Sequence, residues 1–217
     1  MIQFLLDLLF PRRCLACNKS GAYFCTTCRP LLKPAQIEDP ELNQFWAGFN
    51  YDDPAIKKAI WRLKYSGQTS LAEELASILA ERLQEELAEL MTFAGEQKIL
   101  LLPIPLSKSR QKTRGYNQAD LLARALTKKQ KEVLEYSPNI LIKIKDTPAQ
   151  VTLKKRAARL ANLNGAFIIS NPEKIKNRTV IILDDVLTTG ATLSEAVKVI
   201  QKNGAETVLG AALAHRE

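Results

Sequence analysis

Cysteine is absent after position 28, histidine occurs once, and aromatic residues make up only 6% of the 217-residue chain. No apolar run approaches the roughly 18 residues needed to cross a bilayer, so no transmembrane helix is expected. The apolar start, Met1–Phe10, has Arg12 and Arg13 behind it rather than a basic leader ahead of it, which argues against a signal peptide. Its Ile2, Leu5, Leu6 and Leu9 instead fit a short helix whose apolar stripe docks on the body of the protein. The single histidine, His215, is expected at the surface and is given no chemistry. There is no internal repeat and no low-complexity tract.

What is present is unevenly distributed. The formal charge is +8. Residues 107–131 hold eight Lys/Arg and one acid, and residues 143–159 hold six and one, so the rest of the chain is mildly acidic. Two local basic stretches point to a polyanionic ligand, either a compact polyphosphate or a nucleic-acid backbone.

All four cysteines fall in Cys14-x2-Cys17-x7-Cys25-x2-Cys28. Four thiolates at this spacing can close a tetrahedral zinc site with no position left for substrate or water, so the zinc would be structural. Binding it would supply the folding free energy that so short a segment lacks. Cysteines confined to one cluster suit a reducing compartment, and the cytoplasm is the expected location. Arg12, Arg13, Lys19 and Arg29 flank the cluster, as in some nucleic-acid-binding knuckles.

Pro30, Pro34 and Pro40 punctuate a polar linker, which divides the chain into an N-terminal helix and four-cysteine module, 1–40, and a larger domain, 41–217. Within the latter, Phe45–Tyr51 reads as a strand, 54–63 as a helix, and Lys64–Gln68 as a glycine-containing loop. A single long amphipathic helix is predicted over 70–90, then a buried strand at Ile99–Leu102, a basic loop and a helix over Gln118–Lys129. Strands follow at Ile140–Ile144, at Thr179–Leu183, which breaks into Asp184-Asp185, and at Thr207–Leu213, with a helix over 193–203. Alternating strands and helices of this kind build a parallel sheet.

The chemistry concentrates in Val180–Thr192. A buried strand leads into two acids, a hydroxyl- and glycine-rich turn and a helix. Backbone N–H groups at a helix N-terminus suit a phosphate, and Gly190 lets the backbone come close. The hydroxyls of Thr188, Thr189 and Thr192 add donors, while Asp184 and Asp185 can accept from ribose hydroxyls. With Ala191, one loop would hold both ends of a ribose phosphate.

This strand, acid pair and Thr-Thr-Gly-x-Thr turn resemble the signature of the type I phosphoribosyltransferases. The four cysteines, Leu63-Lys-Tyr-Ser-Gly67, Pro103-Ile-Pro-Leu106, Arg114-Gly-Tyr-Asn-Gln118, and Thr147-Pro-Ala-Gln150 with Arg156 and Asn162 resemble, in the same order, the ComF family, named for bacterial competence and DNA uptake. The resemblance implies a parallel sheet flanked by helices, a hood over the site, and the N-terminal zinc knuckle. It implies that Lys64, Tyr65, Ser66 and Gly67 form the pyrophosphate loop. Arg114 and the basic segment Gln150–Arg156 would lie in or near a mobile loop over the site.

Two functions are expected to compete. In the first, an enzyme acts on phosphoribosyl pyrophosphate brought with Mg²⁺. Lys64, Arg114, Arg156 and the Asp184/Asp185 pair position the groups and stabilise charge without a dedicated nucleophile. No segment reads as a base-recognition pocket, so the acceptor is undefined; with no glutaminase domain expected ahead of it, an amidotransferase would lack its ammonia source. In the second, a non-catalytic protein binds single-stranded DNA through the basic stretches and through Trp46, Trp61 and Tyr116, using the phosphoribosyl site as a sensor. The resemblance also implies a role in natural transformation, with a DNA-translocating helicase as partner.

Overall fold

The computed structural model describes residues 12–145 and 163–216. Arg156, the Thr147–Gln150 segment, Asn162 and the apolar stripe of residues 2–9 lie outside the described residues.

Five parallel strands form the central sheet: β1 (Phe45–Asn50), β2 (Ile99–Pro103), β3 (Leu134–Tyr136), β6 (Thr179–Leu187) and β7 (Thr207–His215). Their spatial order is β1-β7-β6-β2-β3. The runs Ile99–Leu102 and Val180–Leu183 are buried throughout, as expected of strands covered on both faces. Side chains alternate across the sheet. Leu101, Ile181, Leu183 and Leu213 enter one core; Leu100, Leu102, Val180, Ile182 and Ala212 enter the other.

The first core is roofed by α1 (Pro54–Tyr65), α2 (Leu71–Arg82), α3 (Gln84–Ala94) and α5 (Gln118–Lys129). Asp53 starts α1 by accepting from Ala55 and Ile56 N–H, with Pro54 fitting the first turn. The second core is closed by α6 (Ala191–Lys202) and by a separate antiparallel pair, β4 (Leu141–Lys143) and β5 (Phe167–Ile169). That small sheet is the hood expected over the site.

Several expectations need correction. The helix over 70–90 is two helices: Leu83 has ψ 2° between them, yet keeps its hydrogen bond to Leu79 O and receives one from Leu87 N–H. The basic loop contains a seven-residue helix, α4 (Lys108–Arg114), closed by Gly115 at φ 80°. Glycine carries no steric penalty in that left-handed region, which makes the stop readable only once the helix is known. Lys64 and Tyr65 belong to the last turn of α1, and only Ser66–Ser70 is loop.

Strand β6 does not break at its acids. It pairs with β7 through Asp184↔Ala212, Val186↔Ala214 and Leu187↔His215, because the ladder uses backbone groups and tolerates polar side chains at its end. Strand β7 accordingly runs on to His215, and α6 begins at Ala191. His215 is not at the surface. It is 5% exposed, and its Nδ1–H donates to Leu187 O at 3.2 Å.

Candidate functional site

From the neighbouring strands β2 and β6 the chain departs in opposite directions, to β3 on one side and β7 on the other. Such a divergence opens a crevice beyond the carboxyl ends of the strands, where ligands of open α/β sheets bind. Here it is a cleft of about 1100 Å³. Asp184 and Asp185 form its floor, residues 188–192 one wall, and Lys64, Arg110, Arg114 and Lys143 contribute its positive charge.

Consecutive residues on a strand face opposite sides, so the two acids have different surroundings. Asp185 lies on the α1 side and accepts from Lys64 Nζ at 2.8 Å, both side chains being less than one-fifth exposed. Burial works to lower the Lys64 pKa, but Asp185 and then Asp184 outweigh it and raise it. Asp184 lies on the hood side. Burial, reinforced by the charge of Asp185, pushes its carboxyl up to about 7, against the pull of the Asp185 N–H and of Lys64 and Lys143. That N–H donates to Asp184 Oδ1 at 2.7 Å. One acid is therefore paired with a lysine, while burial raises the carboxyl of its neighbour.

Beyond Leu187 the chain turns through Thr188, Thr189 and Gly190 into the N-terminus of α6. Gly190 has φ 72°, and a Cβ there would lie 2.5 Å from Leu42 Cδ2 and 2.9 Å from Phe45 Cε2. The turn thus needs glycine for both conformation and packing. Thr189 Oγ1 is buried without a hydrogen-bond partner among the described residues. An orphan hydroxyl beside a helix N-terminus fits an anion that the hydroxyl and the helix would share. Leu187 O, at the base of the turn, accepts from both His215 Nδ1 and Arg216 N–H.

At the opposite wall, Arg114 donates to the fully buried Gln118 Oε1 at 2.7 Å and lies 5.2 Å from the centre of the Tyr65 ring. Tyr116 Oη donates to Leu63 O at 2.7 Å, and Asn117 Nδ2 donates to Ile104 O at 2.8 Å. The Arg-Gly-Tyr-Asn-Gln segment therefore joins the ends of α1 and β2 and sets its arginine beside Tyr65, in the same cleft as Lys64. Ser66 and Gly67 follow Lys64 at this rim. Sequence reasoning gave no role to Arg110, Lys143, Gln118 or His215. Only the concentration of charge in the two basic stretches signalled the first two. Of the three aromatics considered for stacking, Trp61 is 57% exposed and faces Tyr65, whereas Trp46 is half-buried and the Tyr116 hydroxyl is engaged.

The four cysteines carry no disulfide, and their sulfurs all lie within 4.8 Å of one another, with Cys17 and Cys25 3.7 Å apart. Zinc–thiolate bonds of about 2.3 Å require sulfur separations of about 3.8 Å in a tetrahedron, so the cluster fits a zinc knuckle. Burial opposes ionisation of Cys14, but backbone N–H groups of Cys25, Cys17 and Ala16 bring it down to about 6. The neighbouring thiols of Cys17 and Cys25 push Cys28 up to about 12. Four sulfurs this close become thiolates together only around a cation.

The phosphoribosyl transferase domain family matches residues 112–217. Competence protein F of Haemophilus influenzae (strain Rd) is 30% identical over 90% of this chain and 81% of its own length. The DNA utilization protein YhgH of Escherichia coli O157:H7 is 31% identical over 71% of this chain, which spans 65% of that relative. Competence protein ComFC of Bacillus subtilis (strain 168) is 27% identical over 88% of this chain and 78% of its own. With the acid pair, the Thr-Thr-Gly-x-Thr turn and the cysteine knuckle in one fold, the chain belongs to the ComF family of the phosphoribosyltransferase superfamily.

Proposed function

We propose that this protein binds phosphoribosyl pyrophosphate, or a ribose 5-phosphate, with Mg²⁺ in the cleft and transfers the phosphoribosyl group to an acceptor during DNA uptake or nucleotide metabolism. The observation that carries the reading is the convergence of Lys64 with Asp185 at the foot of the Thr188–Thr192 turn, at 2.8 Å. An anion-binding turn and a cation for a leaving diphosphate then line one cleft.

In this reading residues 188–192 bind the 5-phosphate, and Asp184 and Asp185 accept from the ribose hydroxyls. Lys64, with Tyr65, Ser66 and Gly67, and with Arg114, holds the diphosphate as it departs from C1; Arg156 is assigned to the same task from the sequence alone. Mg²⁺ bound with the diphosphate would offset its charge, alongside Lys64 and Arg114. The protein's part is positioning and electrostatic stabilisation, with no covalent enzyme intermediate. The cysteines hold a structural zinc ion, residues 1–40 act as a module appended to 41–217, and the protein works in the cytoplasm. No helix among the described residues is long and apolar enough to cross a membrane.

The exposed Trp61 and Tyr65, 57% and 62% exposed, favour a second reading in which single-stranded DNA stacks beside the cleft and the phosphoribosyl site serves as a sensor, with a DNA-translocating helicase as partner. Isothermal titration of the zinc-loaded protein with phosphoribosyl pyrophosphate and Mg²⁺, beside an Asp184→Ala/Asp185→Ala variant, tests the first reading. Binding that the variant abolishes supports it. Absence of binding in the parent protein moves the weight to DNA, whose binding would weaken steeply with salt.

A further inference from the structure

Tyr23 and Phe24 lie immediately before Cys25, between the two cysteine pairs. Their backbone N–H groups both donate to the Glu74 carboxylate of α2, Tyr23 at 2.9 Å and Phe24 at 3.0 Å to Oε2. Arg12 approaches the same carboxylate at 3.6 Å. The Tyr23 carbonyl in turn accepts from Leu15 N–H, within the first cysteine pair, at 2.9 Å. The Tyr23 backbone is therefore held by the cysteine module on one side and by α2 on the other. Its side chain makes the same junction, since Tyr23 Oη meets Ser70 Oγ at 3.2 Å.

Ser70 occupies the position before the first residue of α2, where a serine side chain ordinarily caps its own helix. Here it makes no capping bond and its hydroxyl is given to Tyr23. The loop that begins after Lys64 and Tyr65 thus ends on a residue anchored to the cysteine module. Leu15, Tyr23 and Phe24 are buried in the same core as Leu63, Leu71 and Leu75, which bracket that loop.

We propose that the cysteine module is a working part of the ligand site: it holds the Lys64–Ser70 segment in its ligand-ready arrangement, so that metal binding by the cysteines and sugar-diphosphate binding in the cleft strengthen each other. The proposal rests on the reading of that segment as the diphosphate loop. Linkage makes the coupling reciprocal, which gives it a readout independent of turnover. Tyr23 is the hinge of the coupling, and Glu74 and Ser70 are positioning residues.

The test measures the zinc affinity of the full-length protein by equilibrium competition with a chromogenic chelator, with and without phosphoribosyl pyrophosphate and Mg²⁺. Ligand affinity is measured in parallel. Saturating ligand is expected to raise zinc affinity at least about 5-fold, the lower end of typical coupling strengths. Tyr23→Phe and Ser70→Ala, which keep the packing, are expected to retain zinc, to bind the ligand about 5-fold or more weakly, and to lose the effect of ligand on zinc affinity. Tight ligand binding with unchanged zinc affinity overturns the coupling and leaves the proposed site intact. Undiminished affinity and coupling in both variants overturn the route through Tyr23 and Ser70. No binding by the parent protein overturns the site reading and the coupling with it.

Discussion

Lys64 Nζ and Asp185 Oδ1, 121 residues apart in sequence, meet at 2.8 Å in the floor of the cleft. The contact joins the last turn of α1 to the carboxyl end of β6. Removing the lysine would leave the largely buried Asp185 side chain without this ion pair. Lys64→Ala is expected to cost about 2 kcal/mol of stability, in the range of a hydrogen bond to a charged group, measured by urea denaturation at pH 7. An unchanged midpoint would show that the pair contributes nothing to the fold.

The stability of the protein should fall between about pH 4 and 7 on account of Asp184. Its folded pKa is raised from 3.8 to about 7, so over that window the native state holds a proton that the unfolded chain has released. Native stability then declines with rising pH by at most about 1.4 kcal/mol per unit, and levels off above the folded value. Lys64 works in another range: its raised pKa contributes stability that is fully present below 10.5 and lost as pH rises through the folded value. Asp184→Asn should flatten the slope below pH 7 and leave the alkaline limb in place, as read from urea midpoints across pH.

Gly190→Ala should be costly in two ways. The residue has φ 72°, and its new methyl group would stand 2.5 Å from Leu42 Cδ2. Left-handed backbone costs about 1–2 kcal/mol for a residue with a Cβ, and overpacking adds about 1–3 kcal/mol. A lowered thermal midpoint together with lost ligand binding is the expected result. Unchanged stability would mean that Leu42 and Phe45 move aside freely.

Chelation of the metal should loosen more than the knuckle itself. Leu15, Tyr23, Phe24 and Leu32 belong to the core that also contains α2. Hydrogen exchange of the metal-free protein is therefore expected to quicken in residues 12–32 and in the first turns of α2, with β6 and β7 unaffected. Confinement of the change to residues 12–32 would show that the docking of the module survives loss of the metal.

His215→Ala removes one of two donors to Leu187 O, with the Arg216 N–H remaining. About 1 kcal/mol of stability should be lost, and ligand affinity should weaken because the base of the Thr188–Thr192 turn is less firmly held. Equal affinity in the variant would show that the strand ladder alone fixes the turn.

The sequence by itself determined whatever depends on local pattern. Val180–Leu183 is apolar and β-branched enough to be a buried strand wherever it folds. The cysteine spacing sufficed to predict a cluster of sulfurs, because two x2 turns joined by a short spacer can bring four ligands together. The Thr-Thr-Gly-x-Thr turn was legible because its glycine and hydroxyls have a local conformational meaning.

Tertiary structure decided the remainder, because those features depend on partners distant in sequence. Strand β6 continues through Asp184 and Asp185 because β7 supplies the backbone partners, and His215 is buried because it lies opposite Leu187 in that ladder. The long helix divides at Leu83, a change in one ψ angle that its apolar periodicity does not encode. The different environments of Asp184 and Asp185 follow from the alternation of a strand between two cores, once the strand order has put Lys64 on one side and the hood on the other. No spacing in the chain states that order, and it is the order that turns separate residues into a site.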